Sequence, residues 1–95
     1  MCYVVNKYKE PYDIYIGRGS KWGNPFVIGE HGSRDEVIEL YRHYLWKQIK
    51  TGKITIEDLK ALQGKKLGCF CKPKSCHGDV IVSAVMWATL GGYNV

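Results

Sequence analysis

The chain has 95 residues, enough for one domain with a modest core and too few for a second independent domain. Hydrophobic residues make up 45% and charged residues 24%, which excludes disorder as a description of the whole chain. The net charge of +5 favours an anionic partner, either a phosphate-bearing small molecule or nucleic acid. The lysines and arginines are scattered, and no RNP, helix-turn-helix or zinc-finger signature is present, so charge alone does not choose between these partners.

The start of the chain lacks the basic residues and apolar run of a secretory signal. The longest apolar stretch, Val80 to Leu90, is interrupted by Ser83 and Thr89 and is too short to span a bilayer. We therefore predict a cytoplasmic protein with no membrane partner. In that reducing compartment the four cysteines are expected to be thiols or metal ligands rather than disulfides.

Two short strands are predicted before a long loop. The β-branched run from Cys2 to Asn6 is typical of a strand, and Asp13 to Ile16 alternates polar and apolar residues as a second strand would. The segment from Gly17 to Gly32 is rich in glycine and proline, which predicts a long structured loop.

Two helices are predicted next, each with its own start signal. Ser33 followed by Glu36 is a capping box, and Thr55 with Asp58 opens a second, shorter helix that Gly64 ends. The first helix runs to Lys50 and is stopped by Gly52, with apolar residues at helical spacing on one face: Val37, Ile38, Tyr41, Leu45 and Ile49.

The last elements are a strand and a mostly apolar helix. Lys65 to Cys71 is predicted as the third strand, and Ser75 or Cys76 begins a final helix that Gly91 and Gly92 end. Because nearly all faces of this helix are apolar, it is expected to be largely buried. The order β-β-α-α-β-α predicts a single small α/β domain over residues 1–95, Rossmann-like and three-layered.

Cysteine and histidine are concentrated where the third strand meets the final helix. Cys69, Cys71, Cys76 and His77 offer four sulfur or nitrogen donors, the number that a structural zinc needs, although the spacing is not that of paired Cys-x2-Cys knuckles. Buried cysteines can equally pack as small hydrophobic residues, and a cysteine at a helix N-terminus can be a reactive thiolate. These three interpretations stay open.

The start of the final helix is also a candidate anion site. Ser75, His77 and Gly78 lie where unpaired N–H groups and the positive end of the helix dipole attract phosphate or carboxylate. Asp79 in the first turn is interpreted either as a partner of the helix dipole or as a contact to ligand hydroxyls.

The loop from Gly17 to Phe26 is the second candidate block. Its glycines let the backbone approach a ligand, Arg18 is a fork for phosphate, Trp22 offers a flat face for a base, and Ser20 and Asn24 add polar groups. Turn geometry alone also explains its Gly, Asn and Pro residues. No Gly-x-Gly-x-x-Gly after a strand and no Walker pattern is present, so those routes to nucleotide binding are unsupported.

These blocks carry a family resemblance that spans nearly the whole chain. Tyr15-Ile16-Gly17-Arg18, Trp22 to Phe26, the Ser33 helix start and the run Gly64 to Val80 together resemble domain-of-unknown-function family 4326, found in phage and bacterial genomes. The resemblance implies a small α/β domain of phage or bacterial source, in the host cytoplasm if phage-encoded, and implies no reaction. The helix start also resembles a second uncharacterised family that opens its last helix with Cys-His-Arg, where Gly78 replaces the arginine here.

Three hypotheses of function follow. In the first, a phosphate- or ribose-bearing, nucleotide-derived metabolite binds between the Gly17–Phe26 loop and the last helix, with no cofactor required, and His77 and Asp79 are the candidate catalytic pair if the ligand is hydrolysed. In the second, Cys69, Cys71, Cys76 and His77 hold zinc in a non-catalytic module that binds nucleic acid or protein. In the third, a phage-encoded protein sequesters a metabolite without turnover. The sequence leaves the oligomeric state open.

Overall fold

A computed structural model describes residues 2–17, 19–69 and 77–90. Its elements follow the predicted order β-β-α-α-β-α: β1 Tyr3–Asn6, β2 Ile14–Tyr15, α1 Arg34–Lys50, α2 Ile56–Lys60, β3 Lys66–Cys69 and α3 Gly78–Thr89. The α/β class is therefore confirmed.

Both predicted helix starts are observed. The Ser33 hydroxyl accepts the Glu36 N–H while the Glu36 carboxylate accepts the Ser33 N–H, and Thr55 and Asp58 make the same reciprocal pair before α2. The strands are shorter than predicted, because β1 omits Cys2 and β2 omits its two end residues. Helix α2 ends at Lys60, before the predicted stop at Gly64. The predicted start of the last helix at Ser75 or Cys76, and the end of the third strand at Cys71, lie outside the described residues.

The three strands form one parallel sheet in the order β1-β3-β2. Strand β3 pairs with β1 on one side and with β2 on the other. Because all three strands run the same way, their carboxyl ends meet at one edge of the sheet. The loop after β2 and the connection from β3 to α3 both leave from this edge.

The two faces of the sheet carry different rows of residues. Val4, Leu67 and Ile14 are in register and share one face, whereas Val5, Gly68 and Tyr15 form the next row on the opposite face. Helix α3 covers the first face. A Cβ placed on Gly78, at the start of α3, would lie 2.7 Å from a Val4 methyl group and 2.8 Å from the Ile16 Cδ1.

Helix α3 lies at the centre of the core. Five of its apolar residues are buried, and both α1 and α2 pack against it, with Trp46 of α1 meeting Trp87 of α3 edge to face at 4.9 Å. The buried α3 residues are Val80, Ile81, Ala84, Val85 and Ala88. The layers are thus sheet, α3, and α1 with α2. A helix that is almost entirely apolar is best buried in this way, between the sheet and other helices, and the Rossmann-like character of the fold stays a prediction.

Helix α3, the most apolar helix, has 12 residues. Within the described ranges, no helix is long and apolar enough to cross a bilayer.

Candidate functional site

The first contact of the site joins the start of α3 to the end of β2. The His77 Nε2 lies 2.7 Å from the carbonyl oxygen of Ile16, and the imidazole is buried, with 8% of the residue exposed. A carbonyl oxygen can only accept, so Nε2 carries the proton and donates it. Ile16 immediately precedes the Gly17–Phe26 loop. The two sequence blocks are therefore neighbours, as the parallel-strand argument predicts.

Tyr41 of α1 contacts both the Gly17–Phe26 loop and the start of α3. Its hydroxyl donates to the carbonyl oxygen of Trp22 at 2.8 Å, and its ring meets the His77 ring edge to face at 5.0 Å. Only 1% of Tyr41 is exposed. The helical spacing of Tyr41 predicts its place on the apolar face of α1 but not the partner of its hydroxyl, although a buried tyrosine usually needs one.

Trp22 is a core residue, whereas the sequence predicted that its ring would offer a flat face for a base. Only 6% of it is exposed, and it belongs to the same hydrophobic cluster as Ile16 and Tyr41. The burial of so large a ring anchors the loop instead. Next to it, Lys21 donates to the Asp58 carboxylate at 2.8 Å, which ties the loop to the start of α2.

Two of the predicted ligand-binding side chains make hydrogen bonds within the protein. The Ser20 hydroxyl donates to the Gly17 carbonyl at 2.6 Å. The Asn24 side chain accepts the Phe26 N–H at 2.9 Å and donates to the Val37 carbonyl at 3.3 Å. These bonds fix the shape of the loop and fasten it to α1, while a ligand contact by either residue stays a prediction.

Gly78 and Asp79 occupy the first turn of α3. Gly78 is buried against Val4 and Ile16, so a glycine is needed there for the helix to approach the sheet this closely. Asp79 is exposed, on a different side of the same turn. Its carboxylate lies in the first turn, near the positive end of the helix dipole, and a contact to ligand hydroxyls stays a prediction.

The cysteines within the described residues are buried. Cys2 and Cys69 are each 1% exposed and belong to the core cluster, and burial raises the pKa of the Cys2 thiol. For Cys69 this matches the interpretation as a packed core thiol. In the part of the chain that the structure describes, no three His, Cys, Asp or Glu side chains are grouped as metal ligands would be. Cys71 and Cys76, the other two predicted zinc ligands, lie outside the described residues, as do Arg18 and Ser75.

The remaining histidines, His31 and His43, are at the surface. The His31 Nδ1 accepts the Val27 N–H at 2.8 Å, which closes the turn before α1. His43 is exposed on α1, with its Nε2 3.4 Å from the Glu39 carboxylate. Neither residue takes part in the junction between β2 and α3.

Comparison with known proteins identifies the family. The profile of the domain of unknown function DUF4326 matches residues 4–87, which include the loop and most of β1 and α3. The chain belongs to the DUF4326 family. No solved structure matches this DUF4326 chain.

Two viral proteins are similar to this DUF4326 domain. One is an uncharacterized 12.4 kDa protein of Enterobacteria phage T4, from the nrdA-td intergenic region, 49% identical over 85 residues that cover 90% of this chain and 78% of the phage protein. The other is uncharacterized protein R718 of Acanthamoeba polyphaga mimivirus, 33% identical over a match that covers 74% of this chain and 64% of that protein.

Proposed function

We propose that this DUF4326 domain binds a phosphate- or ribose-bearing, nucleotide-derived metabolite at the carboxyl edge of its sheet. The binding site lies between the Gly17–Phe26 loop and the N-terminus of α3. The observation that carries the proposal is the 2.7 Å hydrogen bond from His77 to the Ile16 carbonyl, because it holds the start of a helix beside the start of a glycine-rich loop.

The position of this junction supports a ligand site. In open parallel sheets, ligands bind outside the carboxyl ends of the strands, where loops and helix N-termini meet. The positive end of the α3 dipole is directed toward this edge, and the net charge of the chain is +5, so both the local and the overall field favour an anion.

The rigidity of the junction supports it as well. Tyr41 and Trp22 hold the loop on α1 from within the core, and Lys21 fastens it to α2. A loop held from two sides needs little ordering when a ligand binds, which conserves binding free energy. In this arrangement Arg18 is the proposed anion contact, and Asp79 is the proposed contact to ribose hydroxyls.

The proposal also includes turnover of the ligand, with His77 and Asp79 as the catalytic pair. His77 is the proposed acid or base, and in this conformation its Nε2–H donates to the Ile16 carbonyl. Asp79 would act with it in cleavage of a glycosidic or phosphate-ester bond. Binding without turnover would instead match the sequestering hypothesis, which the similarity to two viral proteins favours.

The test is calorimetric titration with nucleoside monophosphates, nucleoside diphosphates and ribose 5-phosphate, followed by chromatography of each mixture to detect products. Arg18→Ala is expected to weaken binding by about 1.5–3 kcal/mol, the range for a charge-assisted hydrogen bond. Arg42→Ala is the matched control. Arg42 pairs with Glu39 on the exposed side of α1, so its replacement removes the same charge away from the site. Failure of all probes to bind, or equal losses in both variants, contradicts the proposal.

A further inference from the structure

The face of the sheet opposite α3 carries a group of tyrosines. Tyr3 and Tyr15 belong to the rows of this face, and the Tyr12 ring lies against Gly68, since a Cβ on Gly68 would be 2.6 Å from the Tyr12 Cγ. The Tyr15 ring lies in the same way over Gly17. Two glycines on one face, Gly17 and Gly68, thus make room for two tyrosine rings. We refer to Tyr3, Tyr8, Tyr12 and Tyr15 with Lys7 as the tyrosine face.

Much of this aromatic surface is exposed. Tyr3 is 48% exposed, Tyr12 43% and Tyr8 77%, and Tyr8 follows the end of β1 in a turn that the Asn6 side chain closes by accepting the Tyr8 N–H. A group of exposed aromatic residues on one surface is typical of a binding site. Backbone hydrogen bonds hold the strands and the turn that carry these exposed residues.

The charges next to the rings are mostly positive. The Lys7 ammonium group lies 5.1 Å from the centroid of the Tyr8 ring and 4.7 Å from that of Tyr15. Lys9, Lys65 and Lys66 lie in or beside the same strands, against two acids, Glu10 and Asp13. The Asp13 carboxylate accepts the Lys66 N–H at 2.8 Å, so it serves the pairing of the strands.

We propose that the tyrosine face binds single-stranded nucleic acid, with bases stacked on Tyr3, Tyr8 and Tyr12 and phosphates near Lys7. Exposed rings alternating with lysines are the combination by which proteins hold single strands without reading sequence, since every base has a face to stack and every phosphate has a charge. A duplex hides its base faces and would gain only the charge contacts. This surface adjoins the proposed metabolite site at Gly17, over which the Tyr15 ring lies, but it faces away from α3.

The test is fluorescence anisotropy with labelled oligomers of roughly 12 nucleotides, one of deoxythymidine and one of uridine, together with a duplex of the same length. Both single strands are expected to bind more tightly than the duplex, and the difference between them tells whether DNA or RNA is preferred. Tyr8→Ala is expected to weaken single-strand binding about five- to tenfold, whereas Tyr8→Phe keeps the ring and the affinity.

A second pair of variants tests the charge. Lys7→Ala is expected to lower the slope of log K against log salt by about 0.7, the value for one phosphate contact on a single strand. Lys60→Ala, at an exposed position of α2, removes the same charge away from the face and should leave the affinity within twofold of the parent. Equal binding of the duplex, no effect of Tyr8→Ala, or equal effects of the two lysine variants would each overturn the proposal.

Discussion

The imidazole of His77 donates a hydrogen bond of 2.7 Å to the carbonyl oxygen of Ile16, across 61 positions of sequence. This bond joins the end of β2 to the start of α3 inside the core. It therefore contributes both to the stability of the fold and to the shape of the candidate site.

Replacement of His77 tests the structural part of that role. His77→Ala leaves the buried Ile16 carbonyl without this donor and opens space beside Tyr41, so it is expected to lower the free energy of unfolding by about 2–3 kcal/mol. His77→Gln, which keeps an N–H donor, should recover part of the loss. Urea denaturation measures both, with His43→Ala as the control, since the side chain of His43 is 78% exposed. Equal stabilities of the two alanine variants would show that the buried bond contributes nothing.

Tyr41 offers a second test, aimed at the loop. Tyr41→Phe removes only the hydroxyl that donates to the Trp22 carbonyl at 2.8 Å, at a buried position. We expect a loss of about 1–2 kcal/mol in unfolding free energy, because the carbonyl stays buried without that donor. Tyr8→Phe removes a hydroxyl from a residue that is 77% exposed and serves as the control. If hydrogen exchange at the amides of the 19–27 segment is unchanged in Tyr41→Phe, the bond does not hold the loop.

Features formed by residues close in sequence could be predicted, whereas features formed by the packing of distant elements could not. The caps at Ser33 and Thr55 could be predicted because each is formed by residues three positions apart. The burial of Trp22 and the bond from Tyr41 could not, since both depend on how α1 packs over the loop. A glycine-rich loop with a tryptophan has the same composition whether the ring stacks on a ligand or fills a core.

The position of the site was predictable for a different reason. Parallel strands place their carboxyl ends at one edge, so two blocks that each follow a strand had to meet there once the strands proved parallel. The partners within that edge were not predictable. Asn24 has a side chain suited to a ligand, yet both its amide oxygen and its amide nitrogen bond to the backbone of this chain.

The ion pair between Lys21 and Asp58 predicts an acid-sensitive contribution to stability. The hydrogen bond from Lys21, and then that from the Thr55 N–H, lower the pKa of Asp58 from its ordinary value of 3.8. A carboxyl whose pKa is lower in the folded state stabilises the fold fully at pH values well above 3.8, and that contribution is lost as the pH falls through the folded pKa. Asp58→Asn should thus be less stable than the parent at pH 7, and the difference should shrink in acid.

Denaturation curves at neutral and acid pH measure this difference in stability between the parent and Asp58→Asn. Lys21→Met removes the largest cause of the pKa shift and should reduce the same pH dependence. The bonds from the Ser33 backbone and hydroxyl also lower the pKa of Glu36, and they remain in both variants as a common background. A difference between parent and Asp58→Asn that stays constant with pH would refute the assignment.

Chelation distinguishes the zinc hypothesis from a metal-independent fold. Cys69 is buried in the core and His77 Nε2 donates to Ile16, so two of the four proposed ligands already have packing roles. We expect protein purified without added zinc to keep its melting temperature in excess chelator. Close to one zinc per chain, with unfolding on chelation, would establish the zinc module, because metal binding would then supply the folding free energy.

Gly78 provides the sharpest test of how α3 meets the sheet. At most helix positions, replacing glycine by alanine stabilises by about 1 kcal/mol. Here the new methyl group would lie 2.7 Å from Val4 and 2.8 Å from Ile16, so Gly78→Ala is expected to destabilise the fold by about 1–3 kcal/mol through overpacking. The same clash explains why this chain cannot hold an arginine at position 78 without moving α3.

A double-mutant cycle identifies the clash as the cause. Val4→Ala removes the nearest methyl groups, so the alanine at position 78 should cost less in the Val4→Ala background than in the parent, and the two changes should couple favourably. Thermal and urea denaturation of the four proteins give the coupling. Strict additivity would mean that α3 does not touch β1 at this point, and the junction that positions the candidate site would have to be built differently.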